Sequence, residues 1–280
     1  MRFAVDTGGT FTDLVVEDDS GGARMYKSET TPFDPVAGVL DTLELAAADY
    51  GLSRPELLAK GDMLIHGTTH AINAIVTGNT ARTAFLTTQG HPDVLVLREG
   101  GRIEPFNFTV PYPQPYVPRS LTYELPERIT FDGSVRQPLD EKAVIEIIAK
   151  LKAADVEAVA VCLLWSIVNA DHEIRVGDLL DQYLPGVPYT LSHALNPSLR
   201  EYRRASSAAI DASLKPLMGK YMGSLDSRLR DAGFDGRVLV VTTQGGAMDA
   251  ADMAKSPIHS INSGPAMAPL AGRNYAQADS

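Results

Sequence analysis

The stretch from Asp6 to Asp13 constrains the fold of this chain more than any other. It reads Asp-Thr-Gly-Gly-Thr-Phe-Thr-Asp, with apolar runs on both sides at residues 3–5 and 14–16. This pattern predicts a strand, a glycine turn and a returning strand. Two adjacent glycines let the backbone bend and approach a ligand closely, so that successive N–H groups point at phosphate oxygens. The stretch therefore predicts a phosphate-binding loop; the alternative is a plain hairpin whose glycines only make the turn.

Polar side chains in the same stretch favour the phosphate loop. Thr7, Thr10 and Thr12 add hydroxyl donors. Asp6 and Asp13 would repel a phosphate directly, but a carboxylate can hold Mg²⁺ or another divalent cation that bridges to phosphate, or orient an attacking water. The spacings of a Walker loop and of a dinucleotide-binding fingerprint do not occur in the sequence. We therefore expect metal-nucleotide chemistry at a loop that joins two strands.

Composition limits the partners of the chain. Its 280 residues, 44% of them hydrophobic, can bury one large core or two smaller ones. The net charge of −10 and the pI near 5.0 argue against a nucleic-acid or anionic membrane partner. No apolar stretch reaches the roughly 18 residues of a membrane span, and the first residues do not resemble a secretory signal. A cytoplasmic location is the default expectation, and Cys162 is expected to be a buried strand thiol.

The order of the predicted elements is that of an α/β protein, because strand-like runs alternate with helical ones. Residues 158–165 read as one apolar strand. The Pro-rich stretch 99–138 excludes a regular helix and predicts an extended excursion over the surface, held in place by aromatic side chains. The longest helical stretch, 198–231, is interrupted by Pro216 and Gly219, so a kink or two helices in series are expected.

Further polar residues lie where predicted strands end. His66, Thr68, Thr69 and Asn73 occupy a strand-to-helix junction, the usual position of ligands in open α/β sheets. Thr68 or Thr69 could equally be an N-cap. His66 is a candidate acid, base or metal ligand, and a buried core histidine is at least as good an interpretation. His70, His91 and His172 show no ligand spacing to one another, so no zinc site is expected.

Two more glycine loops and a charged cluster complete the candidates. Gly245 and Gly246 follow one predicted strand, and Ser263 and Gly264 lie where a helix begins. In the segment 200–204, the residues Glu201, Arg203 and Arg204 could grip a carboxylate or a phosphate, because guanidinium groups bind planar anions bidentately. Solvated helix charges are the plainer interpretation of that segment.

Together these stretches resemble the hydantoinase A, 5-oxoprolinase and ketone carboxylase family. The motifs that carry the resemblance follow the family's order along the chain. They are residues 6–13, 66–69 with Asn73 and Ala74, 86–90, 98–102, 197–204, 244–246 and 263–266.

The resemblance implies an actin-like ATPase fold, of the ribonuclease H-like type. Such a fold is α/β, with a mixed sheet and flanking helices, and has two halves that each carry a phosphate loop. This sequence contains one Asp-x-Gly-Gly-Thr loop, so the first half is expected, as a fragment or as one subunit of a split enzyme. The implied domains are an N-terminal α/β domain at 1–185, which includes the excursion 99–138 and a second α/β segment, and the start of the hydantoinase A domain at 186–280.

The resemblance also implies an enzyme that uses ATP and Mg²⁺ to activate a carbonyl oxygen of a cyclic amide or a ketone. Its expected partners are a hydantoinase B-like subunit and the second ATPase half. Alternatives are a non-catalytic scaffold subunit and a kinase-like phosphotransferase. The implied roles divide as follows: Asp6, Asp13 and His66 catalytic; Asp6 and Asp13 on the metal; Thr7, Gly8, Gly9, Thr10, Thr12, Gly245, Gly246, Ser263 and Gly264 on the nucleotide; Thr68, Thr69 and Asn73 on the substrate.

Overall fold

The computed structural model describes residues 1–31, 33–100, 104 and 106–278. The chain forms two compact units. Unit 1 combines Met1–Asn79 with Leu217–Ser280, and unit 2 is Thr80–Pro216. Part of the sequence motif 98–102, namely Gly101 and Arg102, lies outside the described residues. The expected family boundary between residues 185 and 186 falls within unit 2 and stays a prediction.

The structure consists of the following elements within the described residues. The strands are β1 (Arg2–Thr7), β2 (Phe11–Glu17), β3 (Ala23–Glu29), β4 (Met63–Thr68), β5 (Thr83–Thr88), β6 (Thr122–Leu125), β7 (Arg128–Ile129), β8 (Val135–Gln137), β9 (Ala158–Cys162), β10 (Tyr189–Leu191), β11 (Arg237–Val241) and β12 (Ala247–Asp249). The helices are α1 (Pro35–Asp49), α2 (Arg54–Leu58), α3 (His70–Thr77), α4 (Val94–Leu97), α5 (Glu141–Ala153), α6 (Asp171–Tyr183), α7 (Ser192–Leu195), α8 (Glu201–Asp231), α9 (Ala250–Lys255) and α10 (Ser263–Ala278).

Unit 1 is built on a six-stranded mixed sheet in the order β12-β11-β4-β1-β2-β3. β1, β4 and β11 are parallel to one another, whereas β2 and β3 return antiparallel. Burial alternates strictly along β1, so Phe3, Val5 and Thr7 face the core while Asp6 lies on the opposite face. Such alternation is the signature of a strand with one packed face. Pro35 begins α1, where its fixed φ suits the first helical turn.

Unit 2 contains a four-stranded parallel sheet in the order β10-β9-β5-β6. Every residue of β5 and β9 is buried, as expected for parallel strands covered on both faces. α5 begins at an N-cap, because the Asp140 carboxylate accepts hydrogen bonds from two backbone N–H groups. The alternation of strands and helices that the sequence predicts is confirmed in this unit.

The Pro-rich stretch differs from its prediction as a surface excursion. Its residues 122–125 form β6, which pairs with β5 inside the second sheet. Leu121, Leu125 and Ile129 are buried. The sequence did not reveal β6, because a strand of four residues among prolines has no periodicity. The aromatic residues Phe106 and Phe108 are exposed, by 92% and 79%.

Two further expectations also need correction. The strand predicted over residues 158–165 ends at Cys162, and Trp165 adopts a positive φ of 58° in the turn that follows. The stretch 198–231, for which a kink or two helices in series were expected, includes the single helix α8 with Pro216 inside it, so two helices in series is wrong and the kink stays a prediction. Burial explains this continuity, because Leu214 and Met218 on either side of the proline are completely buried. Within the described residues, no helix is long and apolar enough to cross a membrane.

Candidate functional site

The predicted site residues of unit 1 gather along one edge of its sheet. Because β1, β4 and β11 are parallel, the loops that follow them emerge at the same edge. These loops are residues 8–10, the start of α3, and residues 242–246. The carboxyl edge of parallel strands is where open α/β sheets bind ligands. The structure therefore brings together three polar segments that lie far apart in the sequence.

The first glycine loop is a tight connection between β1 and β2. In the hairpin register Asp6 pairs with Asp13 and Thr7 with Thr12. The Gly8 N–H donates to the Phe11 carbonyl at 3.0 Å. A side chain at Gly8 would lie 3.3 Å from that carbonyl, whereas one at Gly9 would meet open space. Gly9 is thus the point where the backbone is open to a ligand.

The acids and the hydroxyls of the loop lie on opposite faces of the sheet. Thr7 and Thr12 point toward the core, and Asp6 and Asp13 point away from it. The Thr12 hydroxyl bonds to the Thr30 hydroxyl at 2.9 Å. Thr12 is fully buried, so its placement lends no support to the predicted phosphate contact.

The carboxylates of Asp6 and Asp13 differ in their surroundings. Asp6 lies against Gly67, where an added Cβ would approach the Asp6 Oδ1 to 2.9 Å. Partial burial and the neighbouring Asp13 charge both raise the pKa of Asp6. Asp13 forms an ion pair with Lys27 at 2.7 Å. Lys27 is a neighbour of the predicted site that the sequence did not reveal, because an exposed lysine in a strand carries no distinguishing signal.

A cavity of about 220 Å³ lies beside the loop. It joins predicted phosphate ligands to predicted substrate residues, and it adds residues that were not predicted. The lining residues are Thr7, Gly8, Gly9, Thr30, Pro35, Thr68, Thr69, His70 and Asn73. The Thr7 Oγ1 atom is buried and has no hydrogen-bonding partner within the described residues. A buried hydroxyl without a partner is unusual, and it offers an unused donor at the edge of this cavity.

His66 does not line the cavity but lies beneath it. Its ring is completely buried, and Nε2 is 2.8 Å from the Tyr221 hydroxyl. Burial, with a smaller effect from His70, lowers the pKa of His66 to about 4. The ring is therefore neutral at physiological pH. The sequence could not reveal Tyr221, because it lies 155 residues away in the middle of α8.

His70 is the histidine that faces the cavity. It begins α3, and its ring centroid lies 4.8 Å from that of Tyr221. Burial lowers the pKa of His70, so that this ring also favours the neutral form. The sequence does point to His70, because this residue directly follows the polar strand-to-helix junction at residues 66–69. It shows no zinc-ligand spacing.

The second glycine loop turns between β11 and β12. Gly245 has a φ of +78°, and its N–H donates to the Thr242 carbonyl at 3.0 Å. A side chain at Gly245 would lie 3.5 Å from the Ala266 carbonyl, so the loop packs close to α10. Gly246 donates its N–H to the Thr242 hydroxyl. Both glycines thus shape a turn that lies at the start of α10.

The beginning of α10 carries the last predicted nucleotide ligands. Ser263 is 2% exposed, and its Oγ has no hydrogen-bonding partner within the described residues. Gly264 beside it is exposed. The N-terminal end of a helix favours anions, because its first N–H groups are unpaired.

The loop offers phosphate donors on one side and two carboxylates on the opposite face of the sheet, the two kinds of group that a Mg-nucleotide needs. The Gly9 N–H and the Thr7 hydroxyl, neither of which has a hydrogen-bonding partner within the described residues, suit phosphate oxygens. Within the described part of the chain, no three acidic, histidine or cysteine side chains gather in metal-binding geometry. Asp6 and Asp13 are therefore a two-carboxylate set. That number suits Mg²⁺, which usually takes its remaining ligands from phosphate oxygens and water.

The charged cluster of unit 2 has a different character. Arg204 is 1% exposed and donates to the Ser198 and Leu163 carbonyls, so it is a structural residue rather than an anion ligand. Arg203 is bound by the Glu99 carboxylate. Cys162 is buried, which raises the pKa of its thiol to about 12, as expected for an inert thiol.

Comparison with known proteins gives similarity along almost the whole chain. The chain is 34% identical to the caprolactamase subunit alpha of Pseudomonas jessenii, over 99% of its own length and 40% of that protein. It is also 34% identical to the acetophenone carboxylase gamma subunit of Aromatoleum aromaticum, over 97% of this chain and 38% of the relative. This chain thus spans about 40% of the length of these relatives.

Solved structures agree with the fold. The crystal structure of the ATP-dependent caprolactamase from Pseudomonas jessenii superposes with a TM-score of 0.90, over 99% of this chain and 40% of that one. A nucleotide-free acetone carboxylase superposes with a TM-score of 0.83 at 25% identity, over 95% of this chain and 39% of that one. The predicted α/β fold of the actin-like ATPase type is confirmed.

Family models assign both parts of the chain. Residues 2–184 match the hydantoinase/oxoprolinase N-terminal region, and residues 204–278 match the hydantoinase/oxoprolinase family. The resemblance deduced from the motifs is confirmed by these matches. The chain belongs to the hydantoinase/oxoprolinase family.

Proposed function

We propose that this chain is the nucleotide-binding part of an enzyme that uses ATP to phosphorylate the carbonyl oxygen of a small cyclic amide. A lactam, a hydantoin or 5-oxoproline has the required chemistry. The observation that carries the proposal is the gathering of three loops at one sheet edge, beside a cavity lined by Thr7, Gly8 and Gly9. The identity to a caprolactamase subunit supports the cyclic amide.

In this proposal the loop residues hold the nucleotide. The Gly9 N–H and the hydroxyls of Thr7 and Thr10 bind phosphate oxygens, and Gly8, whose N–H bonds to the Phe11 carbonyl, lets the nucleotide approach the backbone closely. Asp6 and Asp13 hold Mg²⁺, and Lys27 either moves to phosphate or keeps Asp13 in place. Gly245, Gly246, Ser263 and Gly264 contact the nucleotide from the neighbouring loops. When bound, Mg-ATP supplies the phosphoryl group.

The residues at the start of α3 orient the substrate. Thr68 and Thr69 hydroxyls, the Asn73 amide and the neutral His70 ring line the same cavity. They can donate hydrogen bonds to a carbonyl oxygen as it approaches the nucleotide, and such positioning is the main contribution of enzymes to phosphoryl transfer. His66 acts through Tyr221, which it holds beneath the cavity, rather than by contact with the substrate.

Partner chains complete the enzyme in this proposal. The second ATPase half closes the nucleotide cleft, and a hydantoinase B-like subunit hydrolyses the activated amide. A ketone carboxylase is the second candidate, favoured by the identity to the acetophenone carboxylase gamma subunit. In that case an enol oxygen receives the phosphoryl group.

The test measures ATP turnover by the chain together with the subunits that co-purify with it. We expect Asp6→Asn to lower substrate-dependent ADP release by at least about 100-fold, because the metal loses a charged ligand. Asp41→Asn is the matched control, since Asp41 is an exposed acid of α1. Full turnover in Asp6→Asn would reject the mechanism. Absence of Mg-ATP binding to the assembled enzyme would favour the scaffold.

Product analysis decides between the remaining candidates. A ring-opened amino acid identifies the amide hydrolase, and a carboxylated ketone identifies the carboxylase. Release of a stable phosphorylated substrate identifies a kinase. Each product is distinguished by mass spectrometry after incubation with ATP and a lactam, or with ATP, bicarbonate and a ketone.

A further inference from the structure

A buried tyrosine of α8 joins the histidine beneath the cavity to the strand-to-helix junction that lines it. The Tyr221 hydroxyl bonds to His66 Nε2 at 2.8 Å, and both side chains are buried. The ring of Tyr221 also packs against the ring of His70, with 4.8 Å between the two centroids. Thr68 lies between these two histidines in the sequence. Tyr221 is therefore held against the junction that orients the substrate in the proposed function.

Two threonine hydroxyls stand side by side near Tyr221. β1 and β4 are parallel, and Thr7 pairs with Thr68 in their register. Burial alternates along β4, so that Thr68 shares the packed face of the strand with His66. Burial raises the pKa of Tyr221 to about 12, and the hydroxyls of Thr68 and Thr7 act in the opposite direction. The Tyr221 hydroxyl is thus close to both threonines, although neither contact has complete hydrogen-bond geometry in this structure.

The surroundings of His66 indicate which of its ring nitrogens carries the proton. The ring is neutral at physiological pH, so only one nitrogen is protonated. Nδ1 is buried and has no hydrogen-bonding partner within the described residues. A buried N–H group without an acceptor is rarer than a buried acceptor without a donor. The proton is therefore assigned to Nε2, which donates to the Tyr221 oxygen and leaves the hydroxyl proton of Tyr221 available to a neighbour.

Thr68 is the neighbour that can accept this proton and act on the cavity. Its Oγ1 already accepts a hydrogen bond from the His70 N–H at 3.1 Å. A hydroxyl oxygen has two acceptor positions and one proton to donate. Once Tyr221 fills the second acceptor position, Thr68 can bind a ligand only as a donor. Thr68 lines the cavity, so that ligand is a group that enters there.

We propose that Tyr221 is a positioning residue that makes the Thr68 hydroxyl a dedicated hydrogen-bond donor to the substrate. The hydrogen bonds run in one direction, from His66 to Tyr221, from Tyr221 to Thr68, and from Thr68 to an oxygen of the substrate. Such bonds are often incomplete until the substrate binds, and bonds in a chain strengthen one another. This inference rests on the proposed function and adds to it the way in which the substrate is oriented.

The direction of this chain of hydrogen bonds selects the substrate atom that faces Thr68. A cyclic amide offers a carbonyl oxygen, which accepts a hydrogen bond, and a ring N–H, which donates one. Only the oxygen can bind a hydroxyl whose acceptor positions are both filled. A carbonyl oxygen has two lone pairs, so Thr68 holds one of them while the other remains free for phosphoryl transfer.

The first test determines the tautomer of His66 in the full chain without nucleotide. ¹⁵N-labelled histidine gives separate signals for protonated and unprotonated ring nitrogens, and comparison with His66→Gln identifies the signals of His66. We expect Nε2 to be protonated and Nδ1 unprotonated at neutral pH. The opposite tautomer would overturn the proposal, because Tyr221 would then donate to His66 and not to Thr68. The measurement is made on the unaltered chain, so it also decides the matter if a variant of Tyr221 does not fold.

The second test measures the kinetics of the chain assembled with its co-purifying subunits. The substrate is whichever of δ-valerolactam, hydantoin and 5-oxoproline the enzyme turns over. We expect Tyr221→Phe to raise KM for that substrate roughly threefold to tenfold, as for the loss of one hydrogen bond, with kcat little changed. A rise in KM at constant kcat indicates lost substrate binding. Tyr202→Phe, in the first turn of the same helix, is the matched control and should change neither constant.

A double-mutant cycle decides whether Tyr221 acts through Thr68. Thr68→Val should raise KM at least as much as Tyr221→Phe, and the variant with both substitutions should equal Thr68→Val alone. Additive effects, an unchanged KM in Tyr221→Phe or an equal rise in Tyr202→Phe would contradict the proposal. An unaltered enzyme that turns over none of the three compounds would instead count against the proposed function, and the tautomer of His66 would still decide the direction of hydrogen bonding.

Discussion

At the scale of single residues, two threonine hydroxyls beside the glycine loop differ in their hydrogen bonding. The buried Thr7 hydroxyl has no hydrogen-bonding partner among residues that the structure describes, whereas the Thr12 hydroxyl, opposite it in the hairpin, is bonded to Thr30. An unpaired buried polar group destabilises a folded chain, and a bonded one does not. The same substitution by valine at both threonines should therefore change the stability in opposite directions.

The Thr7→Val variant should separate stability from binding. Valine has nearly the same shape and removes an unpaired hydroxyl, so we expect the free energy of unfolding to rise by up to about 1 kcal/mol. Nucleotide binding should weaken in the same variant. Thr12→Val is the control, and it should lower the free energy of unfolding by about 1 kcal/mol because it leaves Thr30 unpaired. Urea unfolding measures both variants. An equal loss in the free energy of unfolding would show that the Thr7 hydroxyl has a hydrogen-bonding partner.

The stability of the chain should also depend on pH through His66. Its pKa is about 4 in the folded chain against 6.5 in the unfolded chain. The unfolded state therefore binds more protons between these values, and stability is complete above pH 6.5 and falls as the pH falls toward 4. The change is on the order of 3 kcal/mol. His66→Gln should flatten that part of the profile, which urea unfolding at successive pH values measures. An unchanged profile in His66→Gln would contradict the assignment.

At the scale of elements, some helices and strands follow from local sequence pattern, and others depend on tertiary packing. The hairpin of β1 and β2 and the start of α1 at Pro35 could be predicted because their signals are contiguous. β6 and the continuity of α8 could not be predicted from the sequence. β6 is too short to show a periodicity. α8 continues through Pro216 because the residues around this proline are buried. Tyr221 beneath the cavity was also hidden, because its partners are remote in the sequence.

Glycines in two helices should respond to alanine in opposite ways. In α1, a Cβ at Gly38 would lie 2.7 Å from the Thr12 Oγ1 and 3.2 Å from the Glu29 carbonyl. We expect Gly38→Ala to lower the free energy of unfolding, since the helix would have to move away from the sheet. In α8, a Cβ at Gly223 would meet nothing within 4 Å. Gly223→Ala should therefore raise the free energy of unfolding by up to about 1 kcal/mol, from helix propensity alone. Thermal unfolding of both variants provides the measurement, and a loss in Gly223→Ala would contradict the packing described.

At the scale of the whole molecule, the two units differ in how the chain builds them. Unit 2 is continuous, and its core draws on the buried residues of β5, β9, α5 and α6. Unit 1 is assembled from both ends of the chain, because β11 pairs with β4. The sequence predicted the alternation of elements but not this division, since contiguity in sequence does not reveal which strands share a sheet.

The continuity of unit 2 predicts that residues 80–216 fold alone. Their parallel sheet has its own helices and a core that needs no residue of unit 1. We expect a cooperative thermal transition by circular dichroism. Residues 1–79 alone are the control and should not show one, because β4 then lacks β11 and the sheet lacks α8. A disordered 80–216 fragment would contradict the division into units.

The opposed placement of the carboxylates and hydroxyls around the glycine loop has an evolutionary consequence. Mutation can retune one set while leaving its counterpart intact, since neighbouring positions in a strand never compete for the same space. In the proposed function the acids hold the metal and the hydroxyls hold phosphate oxygens, so a substitution on one face alters one of these two contacts and leaves the packing of the other unchanged.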